Sequence, residues 1–234
     1  MTSPRVLLKA WNLRAKKRLG QTFLSDPSTA RTIVARSNFA ADDVVLEIGA
    51  GLGALTIPLA QVVKRVYAVE KDPHLIDLLK AELLVNRISN CDIIEQDILK
   101  MDLDDFAETA GRKIIVVGNL PYNISSQILV KLILARNTIA RAVLMFQKEL
   151  AQRITAQPGS KDYGRITAML RYGADVHHLL AVKAALFYPS PKVDSEILEI
   201  RFKSTTAYGD HDEIMLFNVI KAAFGNRRKT LKNA

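Results

Sequence analysis

The sequence predicts an α/β protein built on a doubly wound, mostly parallel sheet of seven strands. Between residues 44 and 202, short β-rich apolar runs alternate with amphipathic stretches, the pattern of strands crossing over through helices. A glycine-rich turn follows the first apolar run directly. Acidic residues then close the next two runs, where an open α/β sheet places its ligand crevice.

Val44–Ile48 reads as the first of these strands, followed by the glycine loop and a helix over about Leu52–Val63. Arg65–Glu70 is the second strand. Pro73 opens the next helix, where its missing N–H costs nothing, and that helix runs to about Val85. Asp92–Gln96 and Ile114–Gly118 are the third and fourth strands, with a helix over about Ser125–Ala135 after them. Arg141–Phe146 is the fifth strand and Lys148–Ala156 the next helix. Val176–Val182 and Glu196–Phe202 form a terminal antiparallel hairpin around the proline-rich loop Phe187–Val193. Ser204–Asp210 is polar and reads as a linker. Beyond it a helical stretch presents Ile214, Phe217, Ile220, Ala223 and Phe224 on one face before a basic run over 226–234. The organisation read from this is a main domain over 1–203 and, over 204–234, a linker with the start of a small helical RNA-binding domain, as though the rest were missing.

Of 234 residues, 49% are hydrophobic, enough for a buried core. The single cysteine, Cys91, excludes an intrachain disulfide and suits a reducing cytoplasm, as a small buried hydrophobe. No apolar run reaches the roughly 18 residues of a membrane span. The N-terminus has no signal-peptide core, a basic transit peptide being the alternative. The expected setting is cytoplasmic, without a membrane partner. The net charge of +9 is concentrated at the ends: residues 1–20 carry six basic groups and 221–234 five, with no acid in either, while the 200 residues between hold 22 basic and 24 acidic groups. Such ends suit a polyanion, each phosphate contact releasing counterions.

The segment Glu47-Ile48-Gly49-Ala50-Gly51-Leu52-Gly53 joins strand to helix. Its glycines permit tight turns and close ligand approach. Glu70, 19 residues past Gly51, can accept hydrogen bonds from both hydroxyls of a ribose. These two devices also suit NAD. Asp97 ends the third strand and can accept a proton from an adenine amine. With the segment that follows the fourth strand, the set favours S-adenosylmethionine over NAD.

That segment is Gly118-Asn119-Leu120-Pro121-Tyr122-Asn123. An adenine amine is a poor nucleophile because its lone pair is delocalised into the ring. The Asn119 side-chain oxygen and the Leu120 carbonyl can hold its two N–H groups and favour a pyramidal nitrogen facing a methyl donor. Pro121 stiffens the turn by fixing its own φ. Tyr122 offers a flat face to a base taken out of its stack. No general base is needed, since the nitrogen becomes acidic once alkylated and its proton leaves to water; no metal is needed either. Phe187, held by Pro189 and Pro191, is the candidate for the other side of a base sandwich, with Lys192 on phosphate.

Taken together, the segments KKRLGQTFL (16–24), EIGAGLGALT, NLPYNISS, QKE (147–149), YGR (163–165), FYPSPKVDS and NRRKT (226–230) resemble the KsgA/RsmA ribosomal RNA adenine dimethyltransferases over nearly the whole chain. The resemblance implies a Rossmann-like, class I S-adenosylmethionine methyltransferase domain followed by a small helical domain. It implies dimethylation of the N6 amines of two adjacent adenosines near the 3′ end of small-subunit (16S) rRNA in an assembling subunit, with S-adenosylhomocysteine as product, by a monomer. The family's cofactor contacts fall on Thr22, Leu24, Gly49, Glu70, Asp97 and Asn119, with Gly51 in the same loop. Its target-base positions fall on Asn119, Leu120, Tyr122 and Phe187. The basic candidates for RNA are Lys16, Lys17, Arg18, Lys192, Arg227, Arg228 and Lys229. The family usually has Asn or His where this chain has Thr22, whose hydroxyl has a shorter reach, and it continues past residue 234. Two rival readings are a 23S rRNA adenine methyltransferase of the macrolide-resistance type and a non-catalytic RNA-binding assembly factor.

Overall fold

The structure is a computed structural model and describes residues 2–203 and 212–225. An N-terminal helix α1 (Pro4–Ala10) and a single helical turn at Lys17–Leu19 precede strand β1 (Phe23–Leu24) and helix α2 (Pro27–Arg36). The alternating body follows: β2 (Val44–Ile48), α3 (Thr56–Ala60), β3 (Arg65–Glu70), α4 (Pro73–Val85), β4 (Cys91–Glu95), α5 (Leu103–Ala110), β5 (Ile114–Asn119), α6 (Ser125–Leu134), β6 (Ile139–Gln147), α7 (Lys148–Ile154) and α8 (Arg165–Gly173). Strand β7 (Ala174–Val182), the short β8 (Phe187–Tyr188), β9 (Ser195–Phe202) and α9 (Glu213–Ala223) complete it.

Seven strands form one sheet in the order β4-β3-β2-β5-β6-β9-β7. The first five are parallel; β9 runs antiparallel to both β6 and β7. The strand order reverses between β2 and β5, which places the crevice at their carboxyl ends. Alternation with period two divides the core into two layers. Val45, Ile115, Val117 and Val143 pack against Ile33, Val34 and Leu59 on one face. Leu46, Ile48, Val116 and Leu144 pack against Ile128, Leu129 and Leu132 on the other.

The strands lie within one or two residues of their sequence-based bounds. The helix expected over Leu52–Val63 is far shorter, Thr56–Ala60, because Gly51 and Gly53 turn the chain through positive φ (56° and 83°) before it can start. Four helices outside those expectations, α1, α2, α5 and α8, complete the layers. Asp72 caps α4 by accepting the His74 N–H at 3.2 Å, with Pro73 in the first turn. Burial pushes the Cys91 thiol up to about 12, consistent with an unreactive side chain.

Helix α9 docks through a bidentate pair between Arg136 and Glu213 and an edge-on contact of Tyr172 with Phe217. Phe217 and Ile220 meet the core, whereas Ile214, assigned to the same face, is 77% exposed. The linker at 204–210 and the basic residues Arg227, Arg228 and Lys229 lie outside the described residues. Among the described residues no helix is long and apolar enough to cross a membrane.

Glu47 sits on β2 at 2% exposure. Its Oε2 and the Thr56 hydroxyl are both buried without a well-formed hydrogen bond. Burial therefore pushes the carboxyl up to about 8, the Glu70 charge adding to the effect. Between its ordinary value of 4.5 and 8, the unfolded chain has released this proton while the folded chain keeps it. Stability owed to this group thus falls as pH rises, by about 1.4 kcal/mol per pH unit across that window. Glu47→Gln is expected to match the parent near the acid end of the window and to be the more stable protein at the alkaline end. Urea unfolding of both proteins at the two pH values checks this.

Candidate active site

The glycine loop leaves β2 with Gly49 at φ +72° and Gly51 at φ +56°. The N–H groups of Gly49 and Ala50 both donate to the Val69 carbonyl, at 2.9 and 3.2 Å, tying the loop to the end of β3. A Cβ on Gly49 would stand 3.8 Å from the Asn119 carbonyl and 3.8 Å from Pro121 Cδ, in ordinary contact with the turn. A Cβ on Gly51 would press on the Phe23 ring at 3.2 Å. Positive φ favours glycine at both points, and at Gly51 the Phe23 ring adds a steric reason.

Glu70 ends β3 at 8% exposure. Its Oε2 accepts the Gly51 N–H at 2.9 Å, and its Oε1 accepts those of Lys71 and Asp72, each at 2.8 Å. Burial raises its proton affinity, which the three N–H groups oppose. The sequence suggests that this carboxylate accepts from both hydroxyls of a ribose. The backbone bonds leave one lone pair, on Oε2, among the four of a carboxylate. Asp97 lies one strand further out. Its Oδ1 accepts the Leu99 N–H at 3.0 Å, and its Oδ2 pairs with Lys71 Nζ at 2.7 Å. The Lys71 ammonium holds this carboxyl below the usual carboxylate range.

Asn119 closes β5. Its Nδ2 donates to the Thr22 carbonyl at 2.9 Å, which fixes the orientation of the amide. The Oδ1 is then buried with no hydrogen-bond partner. Such an atom is costly unless something arrives to use it. After Asn119 the turn is braced at two places: Ser125 Oγ donates to the Pro121 carbonyl at 3.0 Å, and the Tyr122 hydroxyl bonds Ser195 Oγ at 2.8 Å.

These strand ends surround one cavity of about 220 Å³. Gly49, Gly51, Glu70, Asp97, Asn119 and Pro121 line it, together with Thr22 and Arg18 from the N-terminal segment. Several anticipated residues lie elsewhere. Leu24 and Phe187 face each other in the small antiparallel sheet of β1 and β8, and their side chains are buried in the core at 1% and 3% exposure. A stacking role for Phe187 therefore requires its ring to be uncovered. The Leu120 side chain is likewise core, at 1% exposure. Tyr122 is half-buried beside the cavity rather than in its wall. Lys16, expected on phosphate, instead pairs with the buried Asp72 at 2.7 Å. Lys17, Arg18 and Lys192 are exposed.

Lys71, Gln21, Asp72 and Ser195 escaped the sequence reading. Lys71 and Asp72 follow Glu70 directly, so their place at the crevice was open to inference. The contacts of Gln21 with Asp72 and of Tyr122 with Ser195 cross 51 and 73 residues and leave no local signal. The glycine cradle, two carboxylates at successive strand ends and an unpartnered acceptor on the next strand fit an adenosyl sulfonium with a nucleobase beside it.

The ribosomal RNA adenine dimethylase family model matches residues 12–234. Ribosomal RNA small subunit methyltransferase A of Desulforapulum autotrophicum is 51% identical over the whole chain and 82% of its own length. The protein of the same name from Magnetococcus marinus is 42% identical over 98% of the chain and 81% of its own length. Among solved structures, a dimethyladenosine transferase from Plasmodium falciparum superposes with a TM-score of 0.78 at 32% identity, covering 90% of this chain and 74% of that one. The 23S rRNA methyltransferase ErmE superposes with a TM-score of 0.69 at 27% identity, covering 90% and 82%. With its glycine loop, strand-end acids and asparagine turn in one crevice, the chain belongs to the ribosomal RNA adenine dimethylase family.

Proposed function

We propose that this chain dimethylates the N6 amines of two adjacent adenosines near the 3′ end of small-subunit rRNA, with S-adenosylmethionine as donor. Family membership and the names of its relatives support the reaction and the RNA. The observation that carries the site assignment is Asn119 Oδ1, a buried acceptor without a partner on an amide whose orientation Thr22 fixes.

When bound, S-adenosylmethionine supplies an electrophilic sulfonium methyl. The chain supplies everything else by position. Gly49 and Gly51 let the backbone approach the donor, Glu70 offers its remaining lone pair to a ribose hydroxyl, and Asp97 accepts from the cofactor's adenine amine. Asn119 Oδ1 and the Leu120 carbonyl hold the two hydrogens of the target amine, so that its lone pair is aimed rather than delocalised. Pro121 and the Tyr122–Ser195 bond keep the turn stiff. The proton lost after alkylation passes to water. Lys17, Arg18 and Lys192, with Arg227, Arg228 and Lys229, contact phosphate. The domain boundary near residue 203 and a monomeric, cytoplasmic enzyme belong to the same proposal.

The likeness to ErmE makes 23S rRNA the competing substrate. Purified protein is to be given labelled S-adenosylmethionine with precursor small-subunit particles or with 23S RNA. Label is expected in the RNA of the particles. Transfer to 23S RNA alone would place the chain with the macrolide-resistance enzymes, and transfer to neither would favour a non-catalytic assembly factor.

A further inference from the structure

The outer end of the crevice lies between two neighbouring parallel strands, β3 and β4, which pair as far as Glu70 opposite Glu95. Just beyond that pair, Lys71 from one strand end and Asp97 from the other meet across the gap, 26 residues apart in sequence. Both line the cavity, beside Val69, Ile98 and Leu99.

Lys71 is tied down at both of its ends. Its N–H donates to Glu70 Oε1 at 2.8 Å, and its Nζ donates to Asp97 Oδ2 at 2.7 Å. The side chain is nevertheless 58% exposed. An ion pair so exposed adds little to stability, and holding a lysine still costs rotamer entropy. The fold therefore gains little from this strut, and its place in the cavity wall gives it a use toward a ligand.

The donors and acceptors along this wall have a definite order. Asp97 Oδ1 accepts the Leu99 N–H at 3.0 Å and Oδ2 accepts from Lys71, so each oxygen keeps one lone pair. The Ile98 N–H, next along the chain, donates to nothing among the described residues. The Lys71 ammonium has two further protons to give. An acceptor is thus flanked by a donor on each side. The edge of an adenine carries the inverse order, an amine that donates between two ring nitrogens, N1 and N7, that accept. Of these, N7 belongs to the ring that bears the ribose. Lys71 directly follows Glu70, the proposed ribose acceptor, whereas Ile98 follows Asp97 on the next strand, so the ammonium is matched to N7.

Resting on the reading of Asp97 as acceptor of the cofactor's adenine amine, we infer that Lys71 is a further cofactor-binding residue, whose ammonium, held in place by Asp97, donates to N7 of that adenine. A hydrocarbon side chain at this position would cover the purine without telling N7 from a C–H group.

The test uses the full chain and calorimetric titration with three ligands: S-adenosylhomocysteine, its 7-deaza analogue, in which C–H replaces N7, and its 6-oxo analogue, which lacks the amine. The parent is expected to bind the 7-deaza analogue about ten-fold more weakly than S-adenosylhomocysteine, the cost of losing one hydrogen bond from a charged donor. That comparison needs no variant. Lys71→Met keeps the length of the stem and removes the donor, and it should bind those two ligands equally. Equal affinity of the parent for the two overturns the inference, as does a preference for N7 that survives in Lys71→Met. The 6-oxo analogue tests the reading beneath, since Asp97 should reject it in parent and variant alike. If the parent accepts it as readily as S-adenosylhomocysteine, the Asp97 assignment fails and the inference with it. Rejection of the 6-oxo analogue without any effect of the 7-deaza change overturns the Lys71 inference alone.

Discussion

Asn119→Ala is expected to lower methyl transfer by about 10²–10³-fold or more under single-turnover conditions, the cost typical of deleting one positioned polar group that acts in the transition state. The affinity for RNA should stay within a few-fold, because the basic groups proposed to grip phosphate lie on other segments. The reason for so large an effect is specific. The amide is oriented by its bond to the Thr22 carbonyl, so the oxygen is committed to the buried side, where it has no protein partner. Alanine removes that acceptor and also frees the Thr22 carbonyl, loosening the segment that walls the cavity. Rapid-quench measurement with excess enzyme reads the chemical step directly. Equal transfer by parent and variant would discredit the assignment of the turn.

The second large effect is expected at Glu70. Glu70→Ala leaves the N–H groups of Gly51, Lys71 and Asp72 without their acceptor at a point where the side chain is 8% exposed. A buried donor left unpaired costs about 1–3 kcal/mol, and water entering the vacated space recovers part of it, so a loss of about 3 kcal/mol in stability is expected. Cofactor affinity should fall further than stability explains, by about 100-fold or more, because the loop that approaches the donor is no longer held and a charge-assisted bond to ribose is lost. Urea unfolding and calorimetric titration with S-adenosylhomocysteine separate the two effects. An unchanged titration would place the ribose elsewhere.

These two residues also show what the sequence disclosed. Glu70 was legible because a strand-end carboxylate at a fixed distance from a glycine loop is a local pattern, and β2 to β5 follow from runs whose period and spacing are local too. What escaped was the set of partners. The carboxylate was expected to accept from both hydroxyls of a ribose, yet three of its four lone pairs hold the loop and the turn into α4 together. The basic run Lys16-Lys17-Arg18 looked uniform in one dimension. In the fold Lys16 is drawn inward by Asp72, 56 residues away, while its two neighbours stay exposed. Phe187 shows the same limit, since pairing with Leu24 across the small sheet turns an expected stacking surface into core. Burial depends on which distant segments meet, and neither residue type nor spacing reports that.

The central claim is that a turn running from Asn119 to Tyr122 presents an adenine amine to a methyl donor. Nucleoside mass spectrometry of small-subunit RNA, after incubation with the protein and deuteromethyl-labelled S-adenosylmethionine, tests it most directly. The account predicts N6,N6-dimethyladenosine carrying two labelled methyls at each of two adjacent positions, formed about 10²–10³-fold or more slowly with Asn119→Ala. Label on a ring carbon, a ribose or a different base, or none at all from the wild-type chain, would contradict it.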